Sequence, residues 1–130
     1  MEKQETILVV DDNPDNVEIL SAFLESRGYR VMSAADGKSA LSMVEEAQPA
    51  LVLLDVMMPG MDGWQVCRTI KAHPEYGSAT RVVMVTARGG FEDKFEGMRS
   101  GADDYVVKPV DLAELADKVE RNLAAGGSKS

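Results

Sequence analysis

Four short stretches of the 130-residue chain are apolar without interruption: Ile7 to Val10, Leu51 to Leu54, Val82 to Val85 and Tyr105 to Val107. Unbroken apolarity over so few residues implies strands covered on both faces, as in a parallel sheet between helical layers. A weaker run from Tyr29 to Ala34, preceded by Gly28, supplies a fifth strand. Between the runs the apolar spacing changes to three and four. Val17, Leu20 and Leu24; Ala40, Leu41, Val44 and Ala47; Val66 and Ile70; Phe91, Phe95 and Met98; and Leu112, Leu115, Val119 and Leu123 each trace one side of a helix.

Helix start signals agree with this reading. Asn13-Pro14 places a capping side chain before a first-turn proline, Asp36 opens the second helix, Asp62 precedes the third, and Asp111-x-x-Glu114 forms a capping box. Strand and helix therefore alternate five times. With right-handed crossovers this gives an α/β fold, a doubly wound three-layer sandwich of a five-stranded parallel sheet and five helices. Ligands of such open sheets sit beyond the carboxyl ends of the strands, so the residues after each apolar run are the candidates for chemistry.

Asp11 and Asp12 follow the first run, Asp55 the third, Thr86 the fourth and Lys108-Pro109 the fifth. Singly, each has an ordinary structural explanation, because Asp caps and turns, Thr favours strands and Lys populates surfaces. Together they bring three carboxylates, a hydroxyl and an ammonium to one edge of the sheet. Carboxylates gathered in one place resist joint ionisation unless a cation relieves them. An all-oxygen set suits a hard divalent ion, most simply Mg²⁺, with positions left for water and a phosphate oxygen. Lys108 and Thr86 then suit the other oxygens of a transferring phosphoryl group. Asp55, alone at the end of the most apolar strand, is the candidate nucleophile, and Asp11 and Asp12 are the metal-holding pair. The product would be an acyl phosphate, formed by positioning and charge neutralisation.

Composition narrows the alternatives. Fourteen Lys plus Arg against 22 Asp plus Glu leave a net charge of −8, which argues against direct nucleic-acid binding. One Cys, Cys67, and one His, His73, exclude an internal disulfide, a C-x-x-C motif and any multi-histidine metal site. No window approaches the apolar length of a membrane span, and Met1 to Glu5 lack a secretory pattern, so a cytoplasmic protein without membrane attachment is expected. Residues 5–124 read as one domain, and residues 125–130, small and polar, as a flexible tail or linker stub.

The acidic pair Asp11-Asp12, the stretch Asp55-Val56-Met57-Met58-Pro59-Gly60-Met61-Asp62-Gly63, Thr86, Tyr105 and Lys108-Pro109 occur in one order. In that order they resemble the receiver domain of two-component response regulators, and the resemblance covers nearly the whole chain. It implies strand order 2-1-3-4-5, Asp55 as phosphoacceptor, and Mg²⁺ held by Asp12, Asp55, the Met57 carbonyl and, through water, Asp11. Thr86 is implied as the switch hydroxyl, Lys108 as the phosphoryl-binding ammonium, the Ala87 backbone N–H as a further donor, and Tyr105 as the switch aromatic. A cis Lys108-Pro109 bond is also implied. The implied partners are a sensor histidine kinase or histidine phosphotransfer protein and a downstream effector, with phosphorylation-dependent homodimerisation as one mode of output. The domain would catalyse its own phosphorylation and dephosphorylation without turning over a separate substrate.

Other signals fail on spacing. Gly37-Lys38-Ser39 lacks the earlier glycine of a phosphate-binding loop, since Met32 stands there. Asp11-x-Asn13-x-Asp15 begins like a calcium loop, but Asn16 and Ala22 occupy its glycine and bidentate positions. His73 reads as a helix-terminal residue and Cys67 as a buried thiol. Two rival functions differ in class: a constitutive docking unit that needs no phosphate, and a phosphatase with an aspartyl-phosphate intermediate. The intact Asp55, Thr86 and Lys108 oppose the first, and the lack of a second carboxylate at Met57 opposes the second.

Overall fold

A computed structural model describes residues 5–56, 63–86 and 101–127. Five strands form one parallel sheet in the order β2-β1-β3-β4-β5: β1 (Thr6–Val10), β2 (Arg30–Ala34), β3 (Leu51–Asp55), β4 (Arg81–Thr86) and β5 (Asp104–Val107). Each strand agrees with its apolar run to within one residue at either end. The helices are α1 (Pro14–Ser26), α2 (Gly37–Ala47), α3 (Gly63–Lys71) and α4 (Leu112–Gly127). The helix expected around residues 91–98 lies outside the described residues.

Alternate residues of the central strands serve two cores. Leu8, Val10, Val52, Leu54, Val82 and Met84 pack with Ala40 and Val44 of α2 and Val66, Cys67 and Ile70 of α3. Ile7, Val9, Leu51, Leu53, Val83 and Val85 pack with Leu20 and Leu24 of α1 and Leu115 and Val119 of α4. This is why the central runs are apolar throughout: every residue of β3 is buried, and successive side chains point to opposite covered faces.

Asn13, Asp36 and Asp111 each cap their helix as expected, but the capping box is half formed, because Glu114 turns to Lys118 and not back to the Asp111 N–H. Asn13 Oδ1 accepts the backbone N–H groups of Asp15 and Asn16, with Pro14 beginning α1. Asp36 accepts the N–H of Ser39 at 2.7 Å, and that bond, followed by one from the Ser39 side chain, holds its carboxyl below the usual range. Asp111 Oδ1 accepts from Ala113 and Glu114, while Glu114 pairs with Lys118 at 3.7 Å. The helix α4 runs to Gly127, so residues 125–127, expected in a flexible tail, are helical. Ala124 and Ala125 are strong helix formers, and two further helical residues cost little once α4 is anchored.

Candidate functional site

The parallel ladder continues one residue past the strands on the carboxyl edge. Asp11 N–H donates to Ala34 O at 3.1 Å, Val56 N–H to Val85 O at 3.0 Å and Lys108 N–H to Thr86 O at 2.7 Å. These bonds fix the backbone on which the chemical side chains stand. Asp11, Asp55 and Thr86 are buried, each 4% exposed. Asp12 is exposed and Lys108 half-buried.

Asp11, Asp12 and Asp55 each offer a carboxylate oxygen within 4.8 Å of the others. Lys108 Nζ lies 3.5 Å from Asp55 Oδ2 and brings one positive charge to three negative ones. Thr86 ends β4 beside β3, where Asp55 pairs with Val85. The sequence-predicted carboxylates and ammonium thus meet, with the hydroxyl on the adjoining strand end. Met57 and Ala87, the predicted backbone contacts, lie outside the described residues, as does Asp62. The oxygen-only donor set and its excess of negative charge fit a hard divalent cation.

Asp11 is held at both oxygens. The backbone N–H of Asn13 donates to Oδ1 at 2.9 Å and the Asn16 carboxamide to Oδ2 at 3.3 Å. The first glycine of α3, Gly63, docks its N–H on Val56 O at 2.9 Å. A Cβ there would stand 2.5 Å from Asp55 O and 2.8 Å from Val56 Cα, so only glycine lets α3 come this close to β3. Asn16 was missed in the sequence because an amide five positions from an Asp has no distinctive spacing.

The predicted switch aromatic, Tyr105, is half-buried on β5 and packs against the α2–α3 core. Lys118 of α4 donates to the Tyr105 carbonyl at 2.7 Å, and its ammonium lies 5.4 Å from the ring centroid. Lys108-Pro109 is cis, as the resemblance implied. His73 stands apart, stacked on Tyr76 at 3.8 Å with its Nδ1 accepting from Glu75 N–H. Burial, followed by the charge of Glu45, pushes the Tyr76 phenol up. Cys67 is fully buried between α3 and the sheet.

An apolar groove of about 300 Å³ opens beside the site, lined by Asp11, Asn16, Leu20, Lys108 and Val110 and flanked by Ile19 and Leu112. Ile19 and Leu112 are the exposed large hydrophobic residues among those described, at 57% and 36%. No helix among the described residues is long and apolar enough to cross a membrane.

Residues 7–120 match the family model of the response regulator receiver domain. The chain is 48% identical over 116 residues to the response regulator PleD of Caulobacter vibrioides, which covers 87% of this chain and 25% of PleD. It is 43% identical over 120 residues to the DNA-binding response regulator MtrA of Mycolicibacterium smegmatis, covering 92% of this chain and 51% of MtrA. The chain therefore spans a quarter to about half the length of these curated relatives. The crystal structure of a CheY-like response regulator receiver domain protein from Methanospirillum hungatei superposes with a TM-score of 0.89 at 28% identity, covering 98% of this chain and all of that one.

Proposed function

The chain belongs to the response regulator receiver family, and from that premise we propose that it is a phosphorylation-activated switch of a two-component phosphorelay with Asp55 as its phosphoacceptor. The observation that carries this reading is the convergence of Asp11, Asp12 and Asp55 within 4.8 Å, with Lys108 3.5 Å from Asp55. An oxygen of Asp55 attacks the phosphorus of a phosphohistidine. The new O–P bond forms as the P–N bond breaks, and the electron pair returns to the imidazole nitrogen. Lys108 holds a phosphoryl oxygen, and Thr86 turns its hydroxyl toward the new dianion. Asp12, Asp55, the Met57 carbonyl and, through water, Asp11 would hold Mg²⁺, whose charge would offset that of the carboxylate and phosphoryl oxygens brought together.

The donor, a sensor histidine kinase or a histidine phosphotransfer protein, must lay its phosphohistidine against Asp55 and so must cover the surface next to it. The groove flanked by Ile19 and Leu112 is that surface. Charge added at Asp55 shifts a population of states, read through Thr86, Tyr105 and the face of β5 and α4 by a downstream effector or a second copy of the chain. The domain acts on itself alone, in the cytoplasm, and its charge of −8 speaks against a direct role on nucleic acid.

Intact-protein mass after incubation with acetyl phosphate, with and without Mg²⁺, tests this for the wild type and Asp55→Asn. The expected result is a single Mg²⁺-dependent phosphoryl adduct that the variant lacks. No adduct on the folded wild type would refute it and leave a phosphate-independent docking unit as the better account.

A further inference from the structure

We infer that Asn16 is a positioning residue for the acidic site, holding the Asp11 carboxylate in the orientation that serves a divalent cation. The inference rests on the proposed cation-holding role of Asp11, Asp12 and Asp55. Asp11 is 4% exposed and lies within 4.8 Å of two other carboxylates, yet makes no ion pair among the described residues. Two neutral donors hold it instead, at 2.9 Å on Oδ1 and 3.3 Å on Oδ2.

The two donors are not equivalent. The Asn13 N–H belongs to the backbone and fixes one oxygen wherever the chain folds. A carboxylate held at one oxygen still rotates about its terminal bond, a broad torsion with no sharp minima, and repulsion from its neighbours drives that rotation. The Asn16 amide holds the second oxygen and closes this freedom. Asn16 is itself placed by secondary structure, as the third residue of α1, with its own N–H 3.4 Å from the Asn13 cap.

The neutrality of the amide matters. A Lys or Arg at this position would compete with the cation for Asp11, and an Asp or Glu would add a fourth like charge. A carboxamide orients the ligand and leaves its charge for the metal, as partners outside the coordination sphere do elsewhere.

The test is titration with Mn²⁺, a spectroscopic stand-in for Mg²⁺, read as free Mn²⁺ by electron paramagnetic resonance. Wild type, Asn16→Ala, Asp11→Asn and the double variant are compared, and circular dichroism in EDTA verifies that each is folded. Asn16→Ala is expected to weaken Mn²⁺ binding about tenfold in the wild-type background. In the Asp11→Asn background the same change should alter binding by less than about twofold, because its effect runs through Asp11. Unchanged affinity in Asn16→Ala, or equal losses in both backgrounds, would overturn the inference while leaving the site's cation role intact. A wild type that binds no Mn²⁺ would overturn both.

Discussion

Replacing Asp12 by Asn should stabilise the metal-free protein. Asp12 is exposed at the end of β1, with carboxylate oxygens of Asp11 and Asp55 within 4.8 Å. Two unit charges at 4.8 Å repel by about 0.9 kcal/mol even at the dielectric constant of water. Asp12 has two such neighbours; Lys108, beside Asp55, and dissolved salt offset part of the sum. The net gain is about 1 kcal/mol, or roughly 3 °C in Tm for a domain of this size. Urea unfolding followed by circular dichroism, in EDTA at low ionic strength, measures it. Raising the salt should shrink the difference as the screening length falls. Saturating Mg²⁺ should reverse the order, because the wild type gains the free energy of binding and the variant gains less. The reasoning fails if Asp12→Asn is less stable than the wild type in EDTA, or if the gap ignores salt.

Two further outcomes follow from packing and surface. Helix propensity alone favours Ala over Gly, yet Gly63→Ala should destabilise by roughly 2–3 kcal/mol, because its Cβ would press on the Asp55 carbonyl at 2.5 Å. Urea unfolding decides, and a variant as stable as the wild type would show that α3 can retreat from β3 without cost. Ile19→Glu, at the rim of the groove beside Asp11 and Lys108, should slow transfer from a phosphohistidine donor protein about tenfold, on the scale of a lost interface anchor, and leave labelling by acetyl phosphate unchanged. Equal slowing of both reactions would place the defect in the site and not in docking.

The carboxyl-edge site was legible because parallel strands turn sequence order into spatial convergence. Once Val10, Leu54 and Val85 are read as ends of neighbouring strands, Asp11, Asp55 and Thr86 have to share an edge. The opposite edge was not legible. There Asp103 accepts from Lys71 Nζ at 2.9 Å and Val82 N–H at 2.8 Å and pairs with Arg81 at 3.4 Å. Buried Asn122 joins Arg81 to Asp104. These partners are separated by up to 41 positions, and no spacing rule connects them before the register of β4, β5 and α4 is known. Gly63 was hidden for a related reason: its need for a bare Cα comes from β3, not from the helix it begins.

The two edges answer the same electrostatic problem in opposite ways. At the amino edge, Asp103 and Asp104 are matched by Lys71, Arg81 and Lys118 with Asn122 between them, so their charges tie β4, β5 and α3 to α4. At the carboxyl edge, three carboxylates converge with Lys108 as their neighbouring ammonium, an arrangement that costs stability and persists because the ladder bonds of Asp11, Val56 and Lys108 hold the backbone in place. An edge of matched charges resists change; one where like charges converge responds to whatever brings or removes charge. The Lys118 ammonium belongs to the amino edge, pairing with Asp104 and donating to the carbonyl of Tyr105. Under the proposed switch, a movement of Tyr105 driven from the acidic edge would act on a strand whose amino end Lys118 anchors to α4.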